Sequence, residues 1–171
     1  YDGNGNILKH RRSGDSTVLW TMDSLTYYYY EGTNQLKYVH DGSASGNYNV
    51  DIDNQTDTNN YVYDATGNLT GDDAEGIQKI KWNVYGKIES IKFTGASGKP
   101  DLVFGYDAMG NRISKKVMPQ SAGDTITTYY VRDATGNTMA TYLRIGYTAS
   151  DTLRLSEQHI YGSSRLGMVS T

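Results

Sequence analysis

The sequence predicts an all-β fold: repeated antiparallel β-hairpins joined into one long sheet that curls. Three observations predict it. Tyrosine supplies 16 of 171 residues against 2 Phe and 2 Trp, and Tyr favours the pleated, half-buried surface of a sheet. Glycine is frequent, at 19, and proline rare, at 2, which suits a chain of tight turns. The third observation is a recurring phrase: an aromatic, Asp or Asn, two variable residues, Gly, then a polar residue.

The clearest copies are Tyr1-Asp2-Gly3-Asn4-Gly5-Asn6, Tyr63-Asp64-Ala65-Thr66-Gly67-Asn68 and Tyr106-Asp107-Ala108-Met109-Gly110-Asn111. Weaker copies start at Tyr30, Trp82 and Arg132, and a degenerate one at Tyr161. The Asp predicts the first position of a type I turn, because its carboxylate accepts backbone N–H groups two residues on. The glycines Gly5, Gly67, Gly86, Gly110 and Gly136 can take positive φ and close the turn with a bulge. In the copy at Tyr30, Asn34 stands where Gly is expected, and Asn is the next-best left-handed residue.

The flanks alternate with a period of two. A large side chain precedes each anchor by two residues, as in Tyr61/Tyr63, Ile80/Trp82, Phe104/Tyr106 and His159/Tyr161. Residues i and i−2 share a strand face. An apolar residue returns six positions after the anchor, as Ile7, Leu36, Leu69 and Ile88. In the copies at Tyr106 and Arg132 it returns at seven, as Ile113 and Met139, which predicts a different turn length or an extra bulge in those two. Single hairpins are barely stable in water, so neighbours must stack and bury a shared stripe. Residues 1–171 read as a single repeat region with a long polar loop at 42–60. Shorter loops are predicted at 71–76, 94–101 and 119–125, and Asp72–Lys81 is the one weak helix candidate.

Charge and composition exclude several functions. Sixteen Lys and Arg against 19 Asp and Glu give −3, which leaves no basic surface for nucleic acid. No apolar run is long enough to span a membrane as a helix. With no Cys there is neither a disulfide framework nor a thiolate zinc site. The N-terminus has no initiator Met and no signal pattern, so the sequence reads as a piece of a longer chain. Leu, Ile, Val and Phe total 31 of 171, under the ~20% associated with disorder, but the low net charge argues against disorder. The tyrosines must therefore supply much of the buried area.

The phrases at Tyr63 and Tyr106 resemble the Tyr-Asp (YD) repeats of Rhs proteins. The tail His159-Ile160-Tyr161-Gly162-Ser163-Ser164-Arg165-Leu166-Gly167 is similar to the end of the repeat region in Rhs proteins of Bacteroidetes type, and 157–167 is taken as that motif. The resemblance covers nearly the whole chain. It implies a spiralling YD-shell that encloses a C-terminal toxin or effector domain, as in Rhs and Tc-type toxins, with a related shell serving adhesion in teneurins. It implies a secreted or cell-surface location in a bacterium, and partners that are the rest of the shell and the effector. It also implies that the anchor tyrosines stack as rungs. Asp-Pro motifs of the family's self-cleaving region are absent: Pro100 and Pro119 lie in other contexts. An open fragment of such a wall exposes strand edges, which predicts self-association.

Candidate chemistry is sparse. Asp2, Asp64, Asp107 and Asp133 read as turn formers rather than acids or calcium ligands. Asp2-x-Asn4-x-Asn6 fails as an EF-hand, because Ile7 and Ser13 occupy required Gly and Glu positions. Asp72, Asp73 and Glu75, and likewise Asp51, Asp53 and Asp57, read as solvated loop groups. His10, His40 and His159 show no metal-ligand spacing. Gly42-Ser43-Ala44-Ser45-Gly46 lacks the nucleophile of a hydrolase elbow. In the run Tyr27–Tyr30, Tyr28 and Tyr30 fall on the predicted stripe, which leaves Tyr27 and Tyr29 opposite as a candidate platform for glycan or a cell-surface protein. No cofactor, metal or catalytic set is predicted. The expected function is a structural, non-enzymatic wall segment around an effector, and the competing expectation is a surface adhesion or carbohydrate-binding module.

Overall fold

A computed structural model describes residues 1–14, 21–43, 48, 52, 54–146 and 152–170. Among them run thirteen strands in antiparallel sheets with one 3-10 turn, Gly95–Ser97. The all-β expectation holds, and the sheets do not close into a barrel. Among the described residues, no helix is long and apolar enough to cross a membrane. Contacts gather into two compact units, Tyr1–Ile77 and Gln78–Thr171. The repeat phrase runs through both.

The first unit contains a three-stranded sheet of β1 (Lys9–Ser13), β2 (Thr21–Tyr29) and β3 (Leu36–Asp41). Its core lies on one face, where Leu25 and Val39 are buried beside Asp23 and Asp41. Each buried carboxylate is paired, as burial demands. Asp23 meets the Arg12 guanidinium and accepts the Ile52 N–H at 2.9 Å. Asp41 accepts the N–H groups of Ser24 and Ser43 at 2.8 and 3.0 Å. A hairpin of β4 (Tyr61–Tyr63) and β5 (Leu69–Asp72) follows.

Asp72–Lys81 is not helical. Asp72 pairs with Ile77 across a turn in which Gly76 has φ +66° and donates its N–H to the Asp73 carbonyl at 2.9 Å. The weak helical spacing gives way because buried Asn60 clamps this turn. Its amide donates to Asp72 Oδ1 at 2.9 Å, and its Oδ1 accepts the Ala74 N–H at 2.6 Å. Asp72 thus serves as a structural acceptor. Asp51 and Asp53 lie outside the described residues.

The second unit is a meander in which each strand pairs with the next. It runs through β6 (Ile77–Trp82), β7 (Ile88–Phe93), β8 (Asp101–Tyr106) and β9 (Arg112–Met118). It continues through β10 (Ile126–Arg132), β11 (Thr138–Ile145), β12 (Leu153–Tyr161) and β13 (Arg165–Ser170). The predicted loop at 119–125 falls between strands, as does 94–100, while Asp101 opens β8 and 71–72 belong to β5. Most strand residues here are only half-buried, as expected of a single-layer sheet.

A bulge follows the turn in every copy whose register is described, not only in those at Tyr106 and Arg132. Val62 pairs with Gly71 but Tyr63 with Leu69, leaving Thr70 extra. Ile113, Met139 and Leu166 are extra in the same way beside Tyr106, Arg132 and Tyr161. Ile113 and Met139 therefore do not replace the residue at plus six. They are bulge residues, 40% and 37% exposed, while Arg112 and Thr138 face the anchors.

Candidate functional site: a ladder of turns and anchors

The turn is built alike in five copies. In the copy at Tyr63, Asp64 Oδ1 accepts the N–H groups of Thr66 and Asn68, both at 2.9 Å, and Asn68 Nδ2 donates to Oδ2 at 3.0 Å. The backbone closes with Asp64 N–H to Asn68 O and Gly67 N–H to Asp64 O. Gly67 sits at φ +89°, a conformation that costs a side-chain-bearing residue ~1–2 kcal/mol. The copies beginning at Tyr1, Tyr106 and Arg132 repeat this pattern with Asp2, Asp107 and Asp133. In the Trp82 copy, the Asn83 side-chain oxygen takes over, accepting Tyr85 and Lys87 N–H groups at 3.0 Å.

These bonds favour the charged carboxylates, since only the ionised form accepts throughout. The Thr66 hydroxyl, followed by the Asn68 amide, draws Asp64 down to about 2. The Asn137 amide, followed by the Thr135 hydroxyl, does the same for Asp133, also to about 2. Asn6 lowers Asp2 and Asn111 lowers Asp107. A carboxylate spent in this way is poorly suited to acid–base chemistry near neutral pH.

Five anchors, Tyr29, Tyr63, Tyr106, Arg132 and Tyr161, then tie their copy to the one before it by a common rule. The residue paired across the turn with one anchor offers its carbonyl to the tip of the next anchor. Tyr29 pairs with Leu36, and the Tyr63 hydroxyl donates to Leu36 O at 3.0 Å. Tyr106 donates to Ile88 O at 2.9 Å. Tyr106 pairs with Arg112, and Arg132 Nε donates to Arg112 O at 3.0 Å. Arg132 pairs with Thr138, and Tyr161 donates to Thr138 O at 3.0 Å. At the start of the chain, Tyr29 donates to Ile7 O at 2.8 Å.

The rule explains the composition. An anchor needs an apolar body ending in a donor, which Tyr and Arg provide and Phe does not. The receiving group is a backbone carbonyl, so the side chain beside it is free to be Leu, Ile, Arg or Thr. Burial raises the phenols of Tyr29 and Tyr63, which keeps both protonated as donors. The link runs from tip to backbone and not from ring to ring, unlike the stacked rungs expected. Tyr30 and Tyr63 meet edge-on, with centroids 6.3 Å apart.

Consecutive turns also touch. Asn6 Nδ2 donates to Asn34 Oδ1 at 2.9 Å. A Cβ on Gly136 would lie 3.1 Å from Asn111 Oδ1, and one on Gly67 would lie 3.6 Å from Gln35 Nε2. The turn glycines therefore accommodate both backbone and neighbour.

The predicted anchors Tyr63, Tyr106 and Tyr161 fall on the ladder. Trp82 occupies the corresponding end of β6, half-buried, and Tyr1 is 85% exposed ahead of the first turn. The anchor of the second copy is Tyr29 and not Tyr30, because that turn is one residue longer. Tyr30 N–H bonds Gln35 O, and the left-handed residue is Gly32, φ +71°, not Asn34. This shift inverts the assignment of the tyrosine run. Tyr27 and Tyr29 are half-buried on the Leu25 face, and Tyr28 is the exposed ring. Tyr28 stacks on its cross-strand partner Tyr38 at 4.4 Å and 2°, so the open aromatic pair is not the one expected. Arg132, the start of a weaker copy in the sequence, serves as an anchor through its guanidinium tip.

Among the described residues no group of three or more His, Cys, Asp or Glu converges as a metal site. No family model and no curated protein matches the sequence.

Proposed function

We propose that this chain is a structural, non-enzymatic wall segment of an Rhs-type YD β-shell, whose enclosed volume holds a C-terminal effector domain. The observation that carries this reading is the anchor rule. A donor tip reaching the carbonyl of the preceding copy joins hairpins in a fixed offset, and such a device extends a sheet indefinitely without a globular core. Each link contributes ~0.5–1.5 kcal/mol net, which turns marginal hairpins into a continuous barrier. The carboxylates that recur are consumed in turns, which supports a scaffold rather than a catalyst. The remainder of the shell and the effector are the proposed partners, and a bacterial surface or secreted location goes with them.

The test uses the full-length parent protein. Added protease should leave the polypeptide downstream of the repeats intact, and Tyr63→Ala with Tyr106→Ala should expose it. Equal cleavage of the downstream region in the parent and the variant would reject the wall.

A further inference from the structure

We infer that the outer face of the first three-stranded sheet binds an acidic polysaccharide. Residues 1–77 carry 12 Asp and Glu against only 4 Lys and Arg. Two of those cations are engaged. Arg12 pairs with buried Asp23, and Lys37 lies 5.7 Å over the Tyr30 ring. The other two, Lys9 and Arg11, are exposed on β1, and neither forms an ion pair among the described residues.

Register places both on one face. Lys9 pairs with Thr26 and Arg11 with Ser24; Thr26 pairs with His40 and Tyr28 with Tyr38. Directly paired residues, and those two apart along a strand, share a face. This face therefore shows a basic row, a hydroxyl row and the stacked tyrosines. The acids of these strands, Asp23 and Asp41, are buried on the opposite face. A strongly acidic unit thus has one face whose strand positions hold cations and no acid.

The chemistry selects the ligand. Lys9 and Arg11 suit carboxylates. Ser24, Thr26, Tyr28 and Tyr38 give hydroxyls that both donate and accept, which matches a polymer rich in hydroxyls. Tyr28 adds an exposed apolar ring edge for sugar C–H groups. Strand spacing makes the patch roughly 10 Å across the strands and about 7 Å between successive rows, wide enough for a short run of sugar rings. The face is flat and open, which fits a chain lying across it better than a small molecule needing enclosure. This inference stands apart from the wall reading, because it uses one outer face and no enclosed volume.

The test is affinity electrophoresis of the chain in gels carrying polygalacturonate, its fully methyl-esterified form, or polyglutamate. Wild type should be retarded by polygalacturonate and by neither of the others. Lys9→Ala with Arg11→Ala should weaken that retardation about tenfold. Thr26→Glu, which plants an acid between the rows without touching either cation, should do the same. Unchanged denaturation midpoints in these variants exclude loss of fold as the cause. Equal retardation by the ester or by polyglutamate, no retardation at all, or variants bound as tightly as wild type would each overturn the inference.

Discussion

Tyr63→Phe removes one oxygen and leaves the ring. In the folded chain that oxygen donates to Leu36 O at 3.0 Å, and Tyr63 is half-buried. A net hydrogen bond of this kind is worth ~0.5–1.5 kcal/mol, and leaving a part-buried carbonyl unpaired pushes the loss towards the upper end. The expected cost is about 1–1.5 kcal/mol. With a urea m-value of ~2 kcal/mol/M, the midpoint should fall by roughly 0.5–0.75 M. The assay is equilibrium urea unfolding followed by tyrosine fluorescence and circular dichroism. Tyr85→Phe serves as the control, because Tyr85 is 79% exposed at a variable turn position, and its change should stay within ~0.5 kcal/mol. Tyr106→Phe and Tyr161→Phe should each resemble Tyr63→Phe, since each loses the same bond. If Tyr63→Phe matched Tyr85→Phe, the anchors would be mere apolar filler and the reasoning would fail.

Three more outcomes follow from the same geometry. Arg132→Met should cost about 2 kcal/mol, because Arg132 donates to both Arg112 O and Gly136 O at 3.0 and 2.7 Å; Arg132→Tyr should recover part of it, as read by thermal and urea unfolding. Gly136→Ala should cost about 1–2 kcal/mol in the same assays, since it forces a Cβ into φ +90°, whereas exposed Ala134→Gly should cost less. In an acid titration followed by circular dichroism, the turns should hold from neutral pH to about 4 and loosen as pH falls towards 2. The sign follows because Asp64 and Asp133 are drawn down to about 2 in the fold, so their contribution exists above the unfolded carboxylate range near ~3.9 and is lost as the folded groups protonate. Asp64→Asn with Asp133→Asn should flatten that acid limb.

Much of the fold was legible because the turn is local. An Asp accepting N–H groups two and four residues on, followed by a left-handed Gly, writes itself into a six-residue phrase. The copies at Tyr63 and Tyr106 could be placed on strand–turn–strand without any tertiary information. The link between copies was not legible in the same way. Its acceptor is a backbone carbonyl, and Leu36, Arg112 and Thr138 serve equally, so no side-chain pattern marks it. The run Tyr27–Tyr30 presents four interchangeable candidates, and one extra residue in the following turn decides that Tyr29 is the anchor. The same residue moves the exposed ring to Tyr28, on which the outer-face patch depends. Asp72–Lys81 misled because its spacing is weakly helical, while the clamp that bends it, Asn60, sits twelve residues away.

The central claim is that each anchor tip is bound to one particular carbonyl of the preceding copy. Carbonyl 13C shifts in a uniformly labelled chain test it directly. Tyr63→Phe should move Leu36, Tyr106→Phe should move Ile88, and Tyr161→Phe should move Thr138, each leaving the other two in place. Shifts that fall on other carbonyls, or that appear identically for all three substitutions, would contradict it.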